Sequence, residues 1–349
     1  MMPKIEYPML WFSQIIGARD SSPWKHFKVD GLFMNAYEFM QHPNAFKEAQ
    51  EKKIHNYLGF NGPIIMDSGG FLFMKKNIMD VTAKQIIDFY EKSKPNFGVV
   101  LDHPLFPTLS EAEKLSRKKK TLQNTKIMMK NRITKNPILI PVIHGYESKE
   151  IKWYIKKLRK IDQFPLYGIG SLVPALYNVK GVGGILNVMK IILQIRKQIP
   201  NAKLHVFGTG GTLTMHLMYY AGADSLDSSA WRTKAAFGAI QMPGIGDRWV
   251  TKAIRKKPYP QLSKEEKKMV ENCRCPMCRK YGFSALQNEF SARAIHNAWV
   301  HQQEVRKTRR LMKDNRYDTY VKKTLEKTNF YSLFGTLEKL KRDESLLYN

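Results

Sequence analysis

Short apolar, β-branched runs recur along the chain, most of them ending in Gly, Asp, Ser or Pro. They read Gly-Leu-Phe-Met at 31–34, Pro-Ile-Ile-Met at 63–66, Phe-Gly-Val-Val-Leu at 97–101, Pro-Ile-Leu-Ile-Pro-Val-Ile at 137–143, Leu-Tyr-Gly-Ile-Gly at 166–170 and Lys-Leu-His-Val-Phe at 203–207. Runs this short and apolar suit strands buried on both faces, with polar or Gly-rich chemistry at their C-terminal ends. Amphipathic helical patterns lie between them. The clearest spans 110–130, with Leu115, Leu122, Ile127 and Met128 on its apolar side and Thr108-Leu-Ser-Glu111 as the expected capping box. Strand and helix alternate through residues 30–240, which predicts an α/β fold, a TIM-type (β/α)8 barrel.

The pattern changes near residue 240. Residues 241–257 carry Pro and Gly signals of a hairpin or loop insertion, and 264–349 reads as charged helical sequence interrupted by a cysteine cluster. The expected division is a catalytic barrel over 1–262 and a zinc-binding, basic helical subdomain over 263–349, packed on the barrel.

Composition adds a polyanionic partner to this picture. The chain carries 58 Lys+Arg against 30 Asp+Glu, a formal charge of +28, which exceeds what solubility requires. Nine Lys or Arg lie within 114–135, and Arg306, Lys307, Arg309, Arg310, Lys313, Arg316, Lys322, Lys323 and Lys327 form a second basic stretch. Two such helices flanking a catalytic face would track phosphates. No secretory pattern opens the chain and no run of 18 apolar residues occurs, so a cytoplasmic enzyme is expected.

Candidate chemistry sits in the strand ends and the cysteines. Cys273-Arg-Cys275-Pro-Met-Cys278 offers three thiolates from one turn, and a helical histidine would close a tetrahedral zinc site. His296 is the expected fourth ligand and His301 its competitor; four protein ligands make the zinc structural. Asp67-Ser-Gly-Gly-Phe71, Asp102 in Val-Val-Leu-Asp-His-Pro, His144 in Ile-His-Gly-Tyr and Asp227 in Ser-Leu-Asp-Ser-Ser all end apolar runs, which brings them to the catalytic rim of a barrel. The turn Phe207-Gly-Thr-Gly-Gly lacks the Lys-Ser/Thr ending of a P-loop, which excludes a nucleotide-hydrolase reading. His-rich strand ends are missing too, which argues against a metal-dependent barrel hydrolase.

Taken in order, these segments resemble the tRNA-guanine transglycosylases and their DNA-acting relatives, over about residues 30–300. The stretch GLFMNAYEFM at 31–40 looks like the family's early strand, and DSGGF at 67–71 is its most specific hallmark. VLDHP at 100–104, GIGSL at 168–172, FGTGG at 207–211, SLD at 225–227 and C-x-C-x-x-C with a distal His follow in the family's order. The resemblance implies a base exchange in which Asp227 attacks C1′ and Asp67 serves as general acid, then base. It also implies a base pocket of Ser68, Phe71, Asp102, His144, Gly170, Ser171, Leu172, Phe207 and Gly208, with Phe71 and Phe207 sandwiching the purine. Arg232, Lys234, Arg306, Lys307, Arg309 and Arg310 are the expected nucleic-acid contacts. The partners implied are a nucleic acid and a free 7-deazaguanine, with preQ0 the expected base and a homodimer the expected assembly.

Three departures shift the expected polymer toward DNA. His144 stands where the family has Gln, and Ser-Ser-Ala-Trp-Arg-Thr follows Asp227 instead of Cys-Val-x-Pro-Thr-Arg. The archaeal RNA-binding extension is also not found in this sequence, while the positive charge is high. The closest expectation is therefore a 7-deazaguanine DNA transglycosylase of the DpdA type. The same chemistry on tRNA is the alternative, and a non-catalytic zinc-containing nucleic-acid-binding protein is the alternative of another class.

Overall fold

The computed structural model describes residues 5–17, 21–70, 72, 80–173, 182–251, 260–326 and 328–343. Its parallel strands are β1 (Met9–Ser13), β2 (Leu32–Asn35), β3 (Ile64–Asp67), β4 (Phe97–Val99), β5 (Ile138–Ile140), β6 (Val142–Ile143), β7 (Leu166–Ile169), β8 (Lys203–Val206) and β9 (Ser225–Ser228). They form one sheet in the order β5-β4-β3-β2-β1-β9-β8-β7-β6. The two ends of that sheet, β5 and β6, are consecutive parts of one chain segment split at Pro141, which has no N–H to give to a ladder. The Pro141 carbonyl still accepts from Gly168 N (2.9 Å). The nine short strands are therefore eight staves of a ring, and the chain forms the expected (β/α) barrel.

The period-two alternation of each stave separates two cores. Met9, Trp11, Ile65, Phe97, Val99, Ile140, Val142 and Leu166 pack inside the barrel, while Leu10, Phe12, Leu32, Met34, Ile64 and Met66 face the surrounding helices. One more step along the inward face reaches the rim, where polar residues replace apolar ones: Ser13, Asn35, Asp67, His144 and Asp227. The stave β1 was not among the strands read from the sequence, although Met-Leu-Trp-Phe is fully buried.

The helix expected at 110–130 is observed as Glu111–Asn131, but its capping box is Ser110 with Glu113, two residues later than read. Ser110 Oγ accepts from Glu113 N and the Glu113 carboxylate accepts from Ser110 N (3.0 Å), so both orphan amides are satisfied. The expected hairpin is also present, as the antiparallel pair β10 (Ala239–Met242) and β11 (Gly246–Trp249).

Beyond the staves, the hydrophobic clusters cut across residue 262. Ile240, Met242 and Val250 of the hairpin region share a small core with Val270, Cys275, Cys278, Leu286 and Ala292. Ala294, Ala298, Val305 and Leu311 of the long helix Phe290–Lys313 join the main core instead. That helix packs along β1 and the short helix Ala230–Ala236, covering the seam between the last stave and the first. The cysteine-bearing segment is thus an excursion between two elements of the barrel's outer layer. No helix among the described residues is long and apolar enough to cross a membrane.

Candidate active site

Three carboxylates converge at the C-terminal ends of the staves. Asp67 ends β3, Asp102 follows β4 and Asp227 lies in β9, and both Asp102 and Asp227 act electrostatically on Asp67. Asp67 Oδ2 accepts from Asn35 Nδ2 (3.1 Å) and from Gly69 N (3.1 Å). Burial, the Asp102 carboxylate and, less strongly, Asp227 raise its pKa, the Gly69 and Ser68 amides oppose them, and the carboxyl is pushed up to about 8. A carboxyl so raised keeps its proton near neutrality.

Asp227 is held differently. Gly208 N donates to its Oδ1 (2.7 Å) and Ser13 Oγ to its Oδ2 (3.2 Å), which aims the carboxylate into the mouth of the barrel. Gly208 takes φ +72, the left-handed region that lets the turn after β8 direct its N–H at the acid. Gly210 N donates to the Asp227 carbonyl (3.2 Å), and a Cβ at Gly210 would lie 2.7 Å from that oxygen. The Gly-rich turn is a cradle for a carboxylate.

The DSGG hallmark has a steric cause. A Cβ on Gly70 would lie 2.0 Å from Asp102 Oδ1, so only glycine leaves the Asp102 carboxylate where it stands. Gly70→Ala is expected to keep the fold and to lower kcat/KM for base exchange by on the order of 10²-fold through displacement of Asp102. Steady-state kinetics beside a melting curve check this; an alanine variant with wild-type kcat/KM would refute the steric argument.

Behind Asp102 stands His144, fully buried, with Nε2 3.2 Å from Asp102 Oδ2 and Nδ1 2.8 Å from Ser171 Oγ. Ser171 takes φ +66, and its Oγ accepts from Leu105 N (2.7 Å). Gly170 makes room for this arrangement, since a Cβ there would lie 2.7 Å from the His144 ring. Gly168 similarly admits Phe207, whose half-buried ring stands at the top of the interior.

Several expected pocket residues sit elsewhere. The Ser68 side chain does not line the pocket: it is fully buried and its Oγ donates to Val100 O (3.3 Å), bracing β3 against the segment after β4. His144 faces Asp102 rather than open space. Leu172 is buried, and Phe71 lies outside the described residues.

The basic residues divide as well. Arg232, after β9, donates to Ser21 Oγ (2.6 Å) and covers the Phe290 ring, and Lys234 pairs with Asp247 of the hairpin (2.6 Å). Arg309 pairs with Asp30 (2.6 Å) and donates to Pro8 O, and Arg306 donates to Lys28 O. Pro8, Lys28 and Asp30 precede β1 and β2, so these two arginines brace the end of the barrel opposite the aspartates. They do not flank the catalytic face, which corrects that part of the sequence reading. Lys307 lies over the Tyr320 ring, 4.0 Å from its centroid.

The cysteine cluster forms a second centre. The ligand atoms of Cys273, Cys275, Cys278 and His296 lie within 4.8 Å of one another. His296 Nδ1 stands 3.7, 3.6 and 3.3 Å from the three sulfurs, close to the roughly 3.5 Å edge of a tetrahedron built with zinc–sulfur and zinc–nitrogen bonds. Its Nε2 reaches Gln241 O (3.3 Å), the carbonyl partner that orients a ligating imidazole. The residues could therefore hold a metal ion. His301 is excluded as the fourth ligand because its nitrogens meet Asn297 O and Gly210 O.

Sequence reasoning missed Ser13 and His205. His205 lies in β8, two residues before Phe207, in a run that ends at the rim. Ser13 needed β1 to be read as a stave.

Comparison with known proteins agrees with this geometry. The family model described as queuine tRNA-ribosyltransferase matches residues 17–329. The tRNA-guanine(15) transglycosylase of Methanococcus aeolicus is 29% identical over 294 residues, covering 81% of this chain and 42% of that protein. The one from Pyrococcus furiosus is 27% identical over 299 residues, 83% of this chain and 47% of that protein. For Korarchaeum cryptofilum the identity is 25% over 331 residues, 91% and 52%. The chain spans about half the length of these relatives, or less. With a match over most of its length and the hallmark residues gathered on one rim, the chain belongs to the queuine tRNA-ribosyltransferase family.

Proposed function

We propose that this chain exchanges guanine for a 7-deazaguanine base in a nucleic acid through a covalent intermediate on Asp227. The observation that carries the reading is the convergence of three aspartates, one of which keeps its proton near neutrality. An Asp227 carboxylate oxygen attacks C1′, the C1′–N9 bond breaks with its electron pair leaving on guanine, and Asp67 gives that base its proton. The incoming base then loses its N9 proton to Asp67, its N9 attacks C1′, and the ester bond returns its pair to Asp227. Two inversions give retention, as in a retaining glycosidase with a base in place of water. Asp102 accepts from the N–H edge of the purine, and Phe207 covers its face.

The relatives' names support tRNA as the polymer, and nothing among them supports the preference for DNA drawn from the sequence. A DNA substrate keeps one specific observation in its favour. The segment after Asp227 departs from the family pattern, with Trp231 fully buried and Arg232 turned onto Ser21 and Phe290. Labelled guanine and labelled preQ0, each supplied with tRNA transcripts, duplex DNA or single-stranded DNA, separate these readings. Incorporation into tRNA supports the first, incorporation into DNA the second, and incorporation into neither overturns base exchange. The Cys273, Cys275, Cys278 and His296 set suits zinc in a structural role, since four protein ligands leave no open position.

Asp67 also gives the reaction a pH dependence. The group must be protonated to expel guanine, and its pKa is raised to about 8, so guanine release should be flat through neutrality and fall above about pH 8. Single-turnover rates between pH 6 and 10 read this limb. A rate that rises through pH 8 would remove Asp67 as the acid.

A further inference from the structure

The helices Glu111–Asn131 and Ser148–Arg159 stand side by side on one flank of the barrel, tied together by the ion pair of the buried Lys118 with Glu150. The longer one leans on the segment that carries Asp102. Asn124 Nδ2 donates to Leu101 O (2.9 Å), Thr121 Oγ1 accepts from His103 N (2.9 Å) and Arg117 Nη1 donates to Pro104 O (2.9 Å). The shorter one starts four residues after His144, where the Glu150 carboxylate accepts from Tyr146 N (3.0 Å). Both helices therefore begin at the mouth of the barrel and run down its side.

Between positions 114 and 160 the chain places fifteen Lys or Arg against two Asp or Glu, which is close to half of its whole +28. One of those two acids, Glu150, is taken up by Lys118. Lys119, Lys126 and Lys130 share one exposed face of the longer helix, and Lys149, Lys152 and Lys156 share one of the shorter. None of these six pairs with a carboxylate among the described residues, whereas Lys47, Lys52, Arg316 and Arg342 on other surfaces each have one. Like charges three and four residues apart destabilise a helix, and Lys149 opposes the dipole in its first turn, so helix stability does not explain the pattern. The flank presents no exposed aromatic ring among the described residues: Trp153 is half-buried beside Lys157 (5.8 Å to the ring centre) and Tyr146 beside Lys114 (5.9 Å). Single strands are held by stacking on such rings, while a double helix is held through its phosphates.

We propose that this flank binds the phosphates of a double-helical stretch of the substrate polynucleotide, next to the target guanine held at the mouth. The longer helix has 21 residues, a rise of about 30 Å, which matches about nine base pairs. Arg306 and Arg309 brace the opposite end of the barrel and leave this role open. The polymer's standing as substrate rests on the base exchange proposed above, but its binding is measured without turnover.

Affinity is measured over a range of salt for a tRNA transcript and for a DNA duplex of about 30 base pairs, and the polymer that the wild type binds more tightly is used. Lys126→Gln/Lys130→Gln/Lys152→Gln/Lys156→Gln should bind it on the order of 10²-fold more weakly at about 0.1 M salt, with the log–log salt slope reduced by about three. Lys28→Gln/Lys47→Gln/Lys92→Gln/Lys339→Gln removes the same charge from other exposed surfaces and should stay within about threefold of the wild type. Both variants should bind a single strand of about eight nucleotides carrying the target guanine as the wild type does. Equal loss in the two variants, or equal loss for the short single strand, overturns the proposal. So does binding of phosphatidylserine vesicles through these lysines with duplex affinity unchanged. If the first variant fails to fold, acetylation of the wild type decides: the bound polymer should protect Lys126, Lys130, Lys152 and Lys156, and full reactivity in the complex refutes the assignment. For guanine release, the first variant should raise KM and leave kcat at saturating polymer unchanged. Duplex binding through this flank without any base exchange would sink the chemistry and leave the surface standing; exchange with wild-type KM in the variant would do the reverse.

Discussion

Asp227→Asn is expected to lower guanine release by at least about 10³-fold while leaving the fold intact, because a neutral amide cannot form the ester that carries the sugar. The substitution is nearly isosteric. The Asn carbonyl can still accept from Gly208 N, and the side-chain NH2 can face Ser13 Oγ, so the cradle seen around the carboxylate keeps its hydrogen bonds. Nucleic-acid affinity should change little, which separates lost chemistry from lost binding. The measurement is single-turnover release of labelled guanine beside equilibrium binding to the same polymer. A protein that acts only by binding would lose nothing here; undiminished biological activity in the variant would favour that class over an enzyme.

Metal removal should have the second large effect, on stability. Three sulfurs and an imidazole are brought together within 4.8 Å, in a small core separate from the main one. The ion supplies much of the folding free energy of such a module, and apparent values for isolated zinc modules are of order 10 kcal/mol. Cys275→Ser is expected to take the metal content from about one ion per chain to none and to lower Tm by about 10 °C or more. The loss should begin locally. Hydrogen exchange should rise first in the helices Lys264–Glu271 and Pro276–Asn288 and in the hairpin, because His296 ties that module to Gln241 O. The barrel staves should stay protected longest. Elemental analysis and exchange mass spectrometry test both statements; a metal-free wild type of unchanged stability would refute them.

The barrel was legible because eight buried staves leave an unusually plain trace. Apolar runs ending in Asp, Gly or Ser mark both the strand and the rim, and the same alternation that packs Ile65 inside the barrel carries Asp67 to the rim. The cysteine cluster was legible from spacing, but the choice between His296 and His301 was not. Both lie on one helix, and only the packing against Gln241 and Gly210 separates them. The charged residues misled for a related reason. Composition counts arginines without saying which way a helix runs, and Arg306 and Arg309 fall beyond the point where Phe290–Lys313 has passed from the rim to the opposite end of the barrel. Ser68 misled because Asp67 beside it reaches the rim while its own hydroxyl turns to Val100. His205 and Ser13 escaped notice because their importance comes from a partner over 20 or 200 residues away in the chain.

The account turns on one bond, between a carboxylate oxygen of Asp227 and C1′ of the target nucleoside. The direct measurement is denaturation of the protein with its polynucleotide in mid-reaction, followed by mass spectrometry of the peptides. A sugar-linked mass on the peptide containing Ser225–Ser228, at Asp227 and absent from Asp227→Asn, is the predicted result. Rapid exchange of labelled guanine with no adduct on that peptide, or with the adduct on Asp67, would contradict it.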